Sequence, residues 1–168
     1  MSSRSQIRIG KIGEHLCAAA LLRMGLNADI VNQDGFDILI YIGDRIVKVQ
    51  VKSTLEPRVI NNEREGIYYS FLCTRNAQKK KLTKKDTDII CFVAIDLKLC
   101  YFMPIEDLKG MTKRFKPDFF DQPDIEDKSW DECYERFADT KPKTVRDRPN
   151  RGKSKRDSIL SSADADPD

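Results

Sequence analysis

The chain has a single histidine, His15, and no closely spaced cysteine pair. These two absences weigh against whole classes of chemistry. A structural zinc site needs Cys and His donors gathered at short spacing, and a Ser/His or Cys/His hydrolase needs a histidine to serve as base. The five cysteines, Cys17, Cys73, Cys91, Cys100 and Cys133, are odd in number and scattered. Four of them fall in apolar runs or on an apolar helix face, where a free thiol behaves as a small hydrophobe. That usage predicts a reducing compartment. No apolar run is long enough to span a bilayer, no secretory signal is recognisable, and no segment repeats. A cytoplasmic protein without a membrane partner is the expectation.

What is present is charge. Charged residues make up 34% of the chain against 40% hydrophobic, a polar balance for a globular protein. Part of it belongs to the end of the chain. From Lys141 to Asp168 there is no apolar period, and Pro, Lys, Arg, Ser and Asp dominate, which predicts a disordered charged tail over residues 141–168. Residues 1–140 are then the folded domain, a usual size for one core. The net charge of +3 conceals a segregation. Residues 45–85 hold 11 basic and 3 acidic side chains, residues 117–140 hold 2 and 9, and residues 141–157 hold 8 and 2. Such an arrangement focuses a field that a phosphate backbone would feel. Lys79, Lys80, Lys81, Lys84 and Lys85 are the candidate DNA contacts, and the competing reading is a solvated lysine face.

The opening segment, from about Ser5 to Met24, has helical spacing through Ile9, Ile12, Leu16 and Ala19, and Gly25 supplies a stop. Glu14 stands on a different stripe, with Gly10, Cys17, Leu21 and Met24. A carboxylate among small and apolar residues must be paired, metal-bound or neutral. Gly10 and Gly13 flank it and would let the helix approach another backbone. Ile67 to Thr74 reads as a strand, Ile89 to Ile95 as a buried strand opened by Asp88, and Leu97 to Pro104 as its return. Pro104 to Leu108 looks like a helix start. Ser129 is the expected cap of a last helix through Ala138, with Trp130 closing the core. The order predicts a mixed α/β domain built on one sheet.

The richest stretch is Arg45 to Lys52, which alternates strictly. Val47, Val49 and Val51 point one way, and Ile46, Lys48, Gln50 and Lys52 the other. Gly43-Asp44 separates it from the apolar run Ile38 to Ile42 and predicts a hairpin. Pairing would bring Asp37 beside Gln50 and Lys52 on one face. An acid, an amide and an ammonium at the end of a buried hairpin are costly as mere packing, so they mark a candidate site.

Lys11-Ile12-Gly13-Glu14, Phe36-Asp37-Ile38 and Val49-Gln50-Val51-Lys52-Ser53 occur in the order and spacing of the PD-(D/E)XK nucleases, which this chain resembles over residues 6 to about 108. The resemblance is closest to small intron-encoded homing endonucleases, whose third motif begins with Gln, and Holliday-junction resolvases share the layout. Gly35-Phe36 stands where Pro often precedes the acid, and Gln50 replaces the usual acid. The resemblance implies a restriction-endonuclease-like mixed sheet flanked by helices and a Mg²⁺-dependent deoxyribonuclease, with Mn²⁺ as a substitute ion. It also implies double-stranded or branched DNA as substrate and a homodimer or homotetramer. Phosphodiester hydrolysis needs an activated water and charge on the phosphoryl oxygens, which a carboxylate-held Mg²⁺ supplies. Asp37 and Glu14 would be the carboxylate ligands, and the Val51 carbonyl would complete the protein ligands. Gln50 would add a neutral oxygen, and Lys52 would act as charge stabiliser or base. A nuclease-like module that binds DNA without cutting is the competing class.

Overall fold

The computed structural model describes residues 3–61, 66–75 and 80–138. Lys79 and the predicted tail, residues 141–168, lie outside the described residues. Helix α1 (Ser3–Arg23) opens the chain, followed by β1 (Ala28–Gln33), β2 (Phe36–Ile42), β3 (Arg45–Thr54), β4 (Arg58–Ile60) and β5 (Gly66–Leu72). Then come β6 (Thr74–Arg75), β7 (Lys80–Lys81), β8 (Ile89–Ala94), β9 (Leu99–Pro104), β10 (Thr112–Phe115) and helix α2 (Ile125–Ala138). Short 3₁₀ turns at Ile105–Asp107 and Pro117–Asp121 link the later elements.

Five strands form the main sheet in the order β1-β2-β3-β8-β9. β3 and β8 are its parallel pair, and the other neighbours are antiparallel. Its two faces are covered differently. One carries both helices: Cys17, Ala20 and Leu21 of α1 and Trp130 and Cys133 of α2 share a core with Ile38, Ile40, Val47, Val49 and Val51. The other carries a three-stranded sheet, β10-β5-β4, whose Tyr69, Phe71 and Phe115 pack on Ile90, Phe92 and Met103. The fold is therefore a helix layer, a mixed sheet and a second small sheet. β8 explains the arrangement from sequence. Ile89, Cys91 and Val93 serve the helix-side core and Ile90, Phe92 and Ala94 the other, so a strand buried on both faces reads as an unbroken apolar run.

Several expectations change. The stripe Ile9, Ile12, Leu16, Ala19 is not the buried face of α1: Ile12 is 43% exposed, while Cys17 and Leu21 are fully buried. The stripe carrying Glu14 packs on the sheet because its small residues permit close approach. Gly25, at φ +80°, does end the helix. Its N–H bonds the Leu22 carbonyl and the Leu26 N–H the Leu21 carbonyl, satisfying carbonyls the last turn leaves open. Ser129 caps nothing. α2 begins at Ile125, and buried Ser129 donates to the Glu126 carbonyl and accepts the Phe102 N–H. The segment from Pro104 makes only one 3₁₀ turn. β1, β4, β7 and β10 lie outside the strands the sequence predicts, and the single predicted sheet is joined by the β10-β5-β4 sheet and the β6-β7 pair.

Candidate active site

The hairpin β2–β3 pairs Ile38 with Val49 and Ile40 with Val47, across the Gly43-Asp44 turn. Extending that register sets Asp37 opposite Gln50. Their side chains meet: the Gln50 amide nitrogen donates to Asp37 Oδ2. The same Oδ2 accepts the Val51 backbone N–H at 2.8 Å. The Gln50 nitrogen also reaches the Val51 carbonyl, at 3.3 Å. One carboxylate oxygen and one peptide oxygen thus converge on a single donor. Gln50 is only 9% exposed, so these groups exchange little of their interaction with water.

Lys52 lies two residues on, on the same face of β3, under the small sheet. Its Nζ donates to the Thr74 carbonyl at 3.1 Å. Burial pulls its ammonium pKa down, and the charge of Asp37 opposes that fall. Asp37 moves the opposite way, from 3.8 to about 6. Burial is the main cause and Glu14 adds to it, while the Val51 N–H and the charges of Lys52 and Lys11 hold it back. Two titratable groups driven towards neutrality from opposite sides are the arrangement expected of an acid–base site.

Glu14 enters from the helix layer. Its carboxylate is 12% exposed and paired with Lys11 Nζ at 2.6 Å, one helical turn back. The approach of α1 depends on Gly13. A Cβ built there would run into the Ser53 hydroxyl, with Val51 Cγ1 3.6 Å away. Gly10, by contrast, has nothing within 4 Å, so only one of the two flanking glycines is needed for contact. The Ser53 hydroxyl is buried and has no hydrogen-bond partner among the described residues.

The structure brings Asp37, Gln50 and Val51 into direct contact and sets Lys52 and Glu14 close enough for their charges to act on Asp37. The lysine candidates among the described residues do not join them. Lys80 and Lys81 are exposed on β7, Lys85 is exposed nearby, and Lys84 is paired with Glu106. Sequence reasoning missed Lys11, although its spacing to Glu14 was legible, and missed the Thr74 carbonyl, a backbone acceptor that only the fold identifies.

The donor set can be tested against a divalent ion. Among the described residues no group of three or more His, Cys, Asp or Glu gathers as a metal cluster. The oxygens available are those of two carboxylates, a peptide carbonyl and an amide, all hard donors of the kind Mg²⁺ takes in small number. Oxygen donors of this kind suit a hard divalent ion, and the Cys and His donors typical of a structural zinc site are not among them.

A family model for PD-(D/E)XK endonucleases matches residues 4–125. The chain belongs to that family. It is a nuclease, and the matched span includes Glu14, Asp37, Gln50, Val51 and Lys52. The solved structure of a bacterial homing endonuclease, I-Ssp6803I, is similar to this PD-(D/E)XK endonuclease with a TM-score of 0.56 and 17% identity. The match covers 82% of this chain and 97% of that one. At that identity the likeness is one of fold. No curated protein sequence matches the chain.

Proposed function

We propose that this PD-(D/E)XK endonuclease is a divalent-metal-dependent enzyme of the homing type, cutting double-stranded DNA with Mg²⁺ and accepting Mn²⁺ in its place. The observation that carries this reading is the convergence of Asp37 Oδ2 and the Val51 carbonyl on one donor, the Gln50 amide nitrogen. Two oxygens aimed at one point, with a carboxylate whose pKa burial has raised to about 6, describe a place that gains from a positive charge. Asp37 and Glu14 would hold the ion, with the Val51 carbonyl beside them. Gln50 lends a neutral oxygen once its amide turns over, since the two ends of an amide are nearly the same in shape. When bound, the ion supplies an activated water and charge stabilisation on the phosphoryl oxygens.

The protein's own groups do the rest. Asp37 and Val51 fix the position at which the scissile phosphate must arrive. Lys52, steered by the Thr74 carbonyl, presents its ammonium to the developing phosphoryl charge. Because burial lowers its pKa, it can also give or take a proton closer to neutral pH than a surface lysine. Lys80, Lys81 and Lys85 would contact phosphates outside the cut, and Lys84 would first have to leave Glu106. Residues 1–140 would be the folded unit, and a homodimer or homotetramer would supply one centre per strand.

A Mg²⁺ titration on duplex DNA and on a four-way junction tests the proposal. Cleavage of duplex that requires the ion and stops with chelator is the expected result. Preferential cutting of the junction would favour a resolvase instead. No cleavage of either by the wild type, where Mg²⁺ and Mn²⁺ are both supplied, would overturn the metal-dependent reading. Sedimentation as a monomer with and without DNA would remove the assembly from it.

A further inference from the structure

Arg75 sits outside every motif of the site, on the two-residue strand β6, and is 40% exposed by side chain. Its guanidinium nevertheless joins three segments. Nε and Nη2 donate to Asp34 Oδ2 at 3.1 and 2.6 Å, and Nη1 donates to Asp86 Oδ1 at 3.1 Å. Asp86 in turn accepts the Thr83 N–H at 3.0 Å and its hydroxyl at 2.8 Å through the other oxygen. It also packs on Gly35: a Cβ there, at φ +101°, would lie 3.3 Å from the Asp86 Cβ.

Two of the three segments deliver an atom of the site, and the third, Thr83–Asp86, braces them. The Asp34-Gly35 turn leads directly into β2, where Asp37 is the second residue. Thr74, next to Arg75, offers the carbonyl that receives Lys52 Nζ. The Asp34 pair is exposed, and pairs of that kind add little to folding, so stability alone is a poor account of a three-way arrangement. A planar fork, which fixes angles as well as distances, suits positioning, and a lysine cannot reproduce it.

We infer that Arg75 is a positioning residue that holds the Asp37 side of the site in register with the Lys52 side by clamping Asp34 and Asp86. The inference rests on the proposed roles of Asp37 and Lys52. It differs from the alternative that Arg75 is a DNA phosphate contact.

Three variants decide it: Arg75→Ala, Arg75→Lys and, as a control of the same bond type that touches no site residue, Arg136→Ala, which breaks an exposed pair with Asp107. Hydrogen exchange reads the clamp without reference to activity. In Arg75→Ala, exchange should quicken at least about tenfold in two segments together, residues 34–40 and 73–75, with β8 unchanged. Mn²⁺ affinity should fall about tenfold and single-turnover cleavage about 10- to 100-fold. DNA affinity measured in Ca²⁺ should stay within twofold of wild type. Arg75→Lys should recover only a small part of the loss, and Arg136→Ala should behave as wild type. Unchanged exchange in either segment overturns the inference. So does loosening with Mn²⁺ affinity and rate intact, full recovery by lysine, or a parallel loss of DNA affinity. A wild type that binds no Mn²⁺ and cuts no DNA would overturn the proposed function, and the positioning role with it, whatever the exchange shows.

Discussion

Removing the charge of Asp37 should stabilise the metal-free protein while destroying its activity. The carboxyl pKa rises from 3.8 to about 6 on folding, so the folded state holds the proton more tightly than the unfolded one. Stability is then greatest at low pH, falls as pH rises from about 4 to 6, and stays reduced above that. The rise corresponds to roughly 3 kcal/mol at neutral pH. Partial access to water and the N–H bonds from Val51 and Gln50, which an asparagine would only partly keep, reduce the gain to about 1–2 kcal/mol. For a domain of this size that is about 3–6 °C in Tm. Thermal melts of wild type and Asp37→Asn at pH 8 in chelator should show the variant melting higher. The gap should close towards pH 4, and added Mg²⁺ should stabilise only the wild type. A variant less stable than wild type at pH 8, or a gap that persists unchanged at pH 4, would refute the account of Asp37 as a carboxylate under strain.

Lys52→Met should cut single-turnover cleavage more than about 100-fold while DNA binding in Ca²⁺ is retained; a loss confined to binding would remove it from the chemistry. Gln50→Glu adds a third carboxylate and should tighten Mg²⁺ binding in calorimetry while lowering the metal-free Tm; unchanged affinity would place Gln50 away from the ion. Gly13→Ala should destabilise by about 1–3 kcal/mol in denaturant melts, and Ser53→Gly should restore most of it by clearing the side chain that a Cβ would meet. Ser53→Ala alone should be neutral or stabilising, since its hydroxyl has no partner among the described residues.

The parts of the site legible in sequence are those with a periodic signal. Strict alternation through Val47, Val49 and Val51, broken by a Gly-Asp turn, fixed the hairpin and hence the meeting of Asp37 with Gln50. Glu14 was legible as the misfit on a stripe of small residues. On α1, however, hydrophobicity pointed to Ile12 and the packing chose Cys17 and Leu21, because close approach over Gly13 favours small side chains over large ones. The second sheet was hidden for a different reason. β4 has three residues and β10 the sequence Thr-Lys-Arg-Phe, too short and too polar to carry a period. Ser129 misled because a serine one turn inside a helix looks like a cap until its partners, Glu126 and Phe102, are known. Thr74 could not be found at all, since what it contributes is a peptide oxygen.

The parallel pairing of β3 with β8 has a consequence for how the enzyme comes into being. Val49 lies beside Ile89, and the chain between them builds β4 and β5 of the small sheet and the antiparallel pair of β6 with β7. At about 5–20 residues per second a ribosome takes a few seconds to cover that distance. Throughout the interval the β2–β3 hairpin can form locally, yet its far edge has no partner, an open strand of valines able to pair with another chain. Non-local pairing of this kind is also the slow part of folding. The edge bearing Gln50 and Lys52 is sealed by β8, and Lys52 meets Thr74 only after the intervening chain has returned. Until β8 is made, a newborn chain therefore carries that edge open, and the groups proposed for cutting lack the seal that β8 provides.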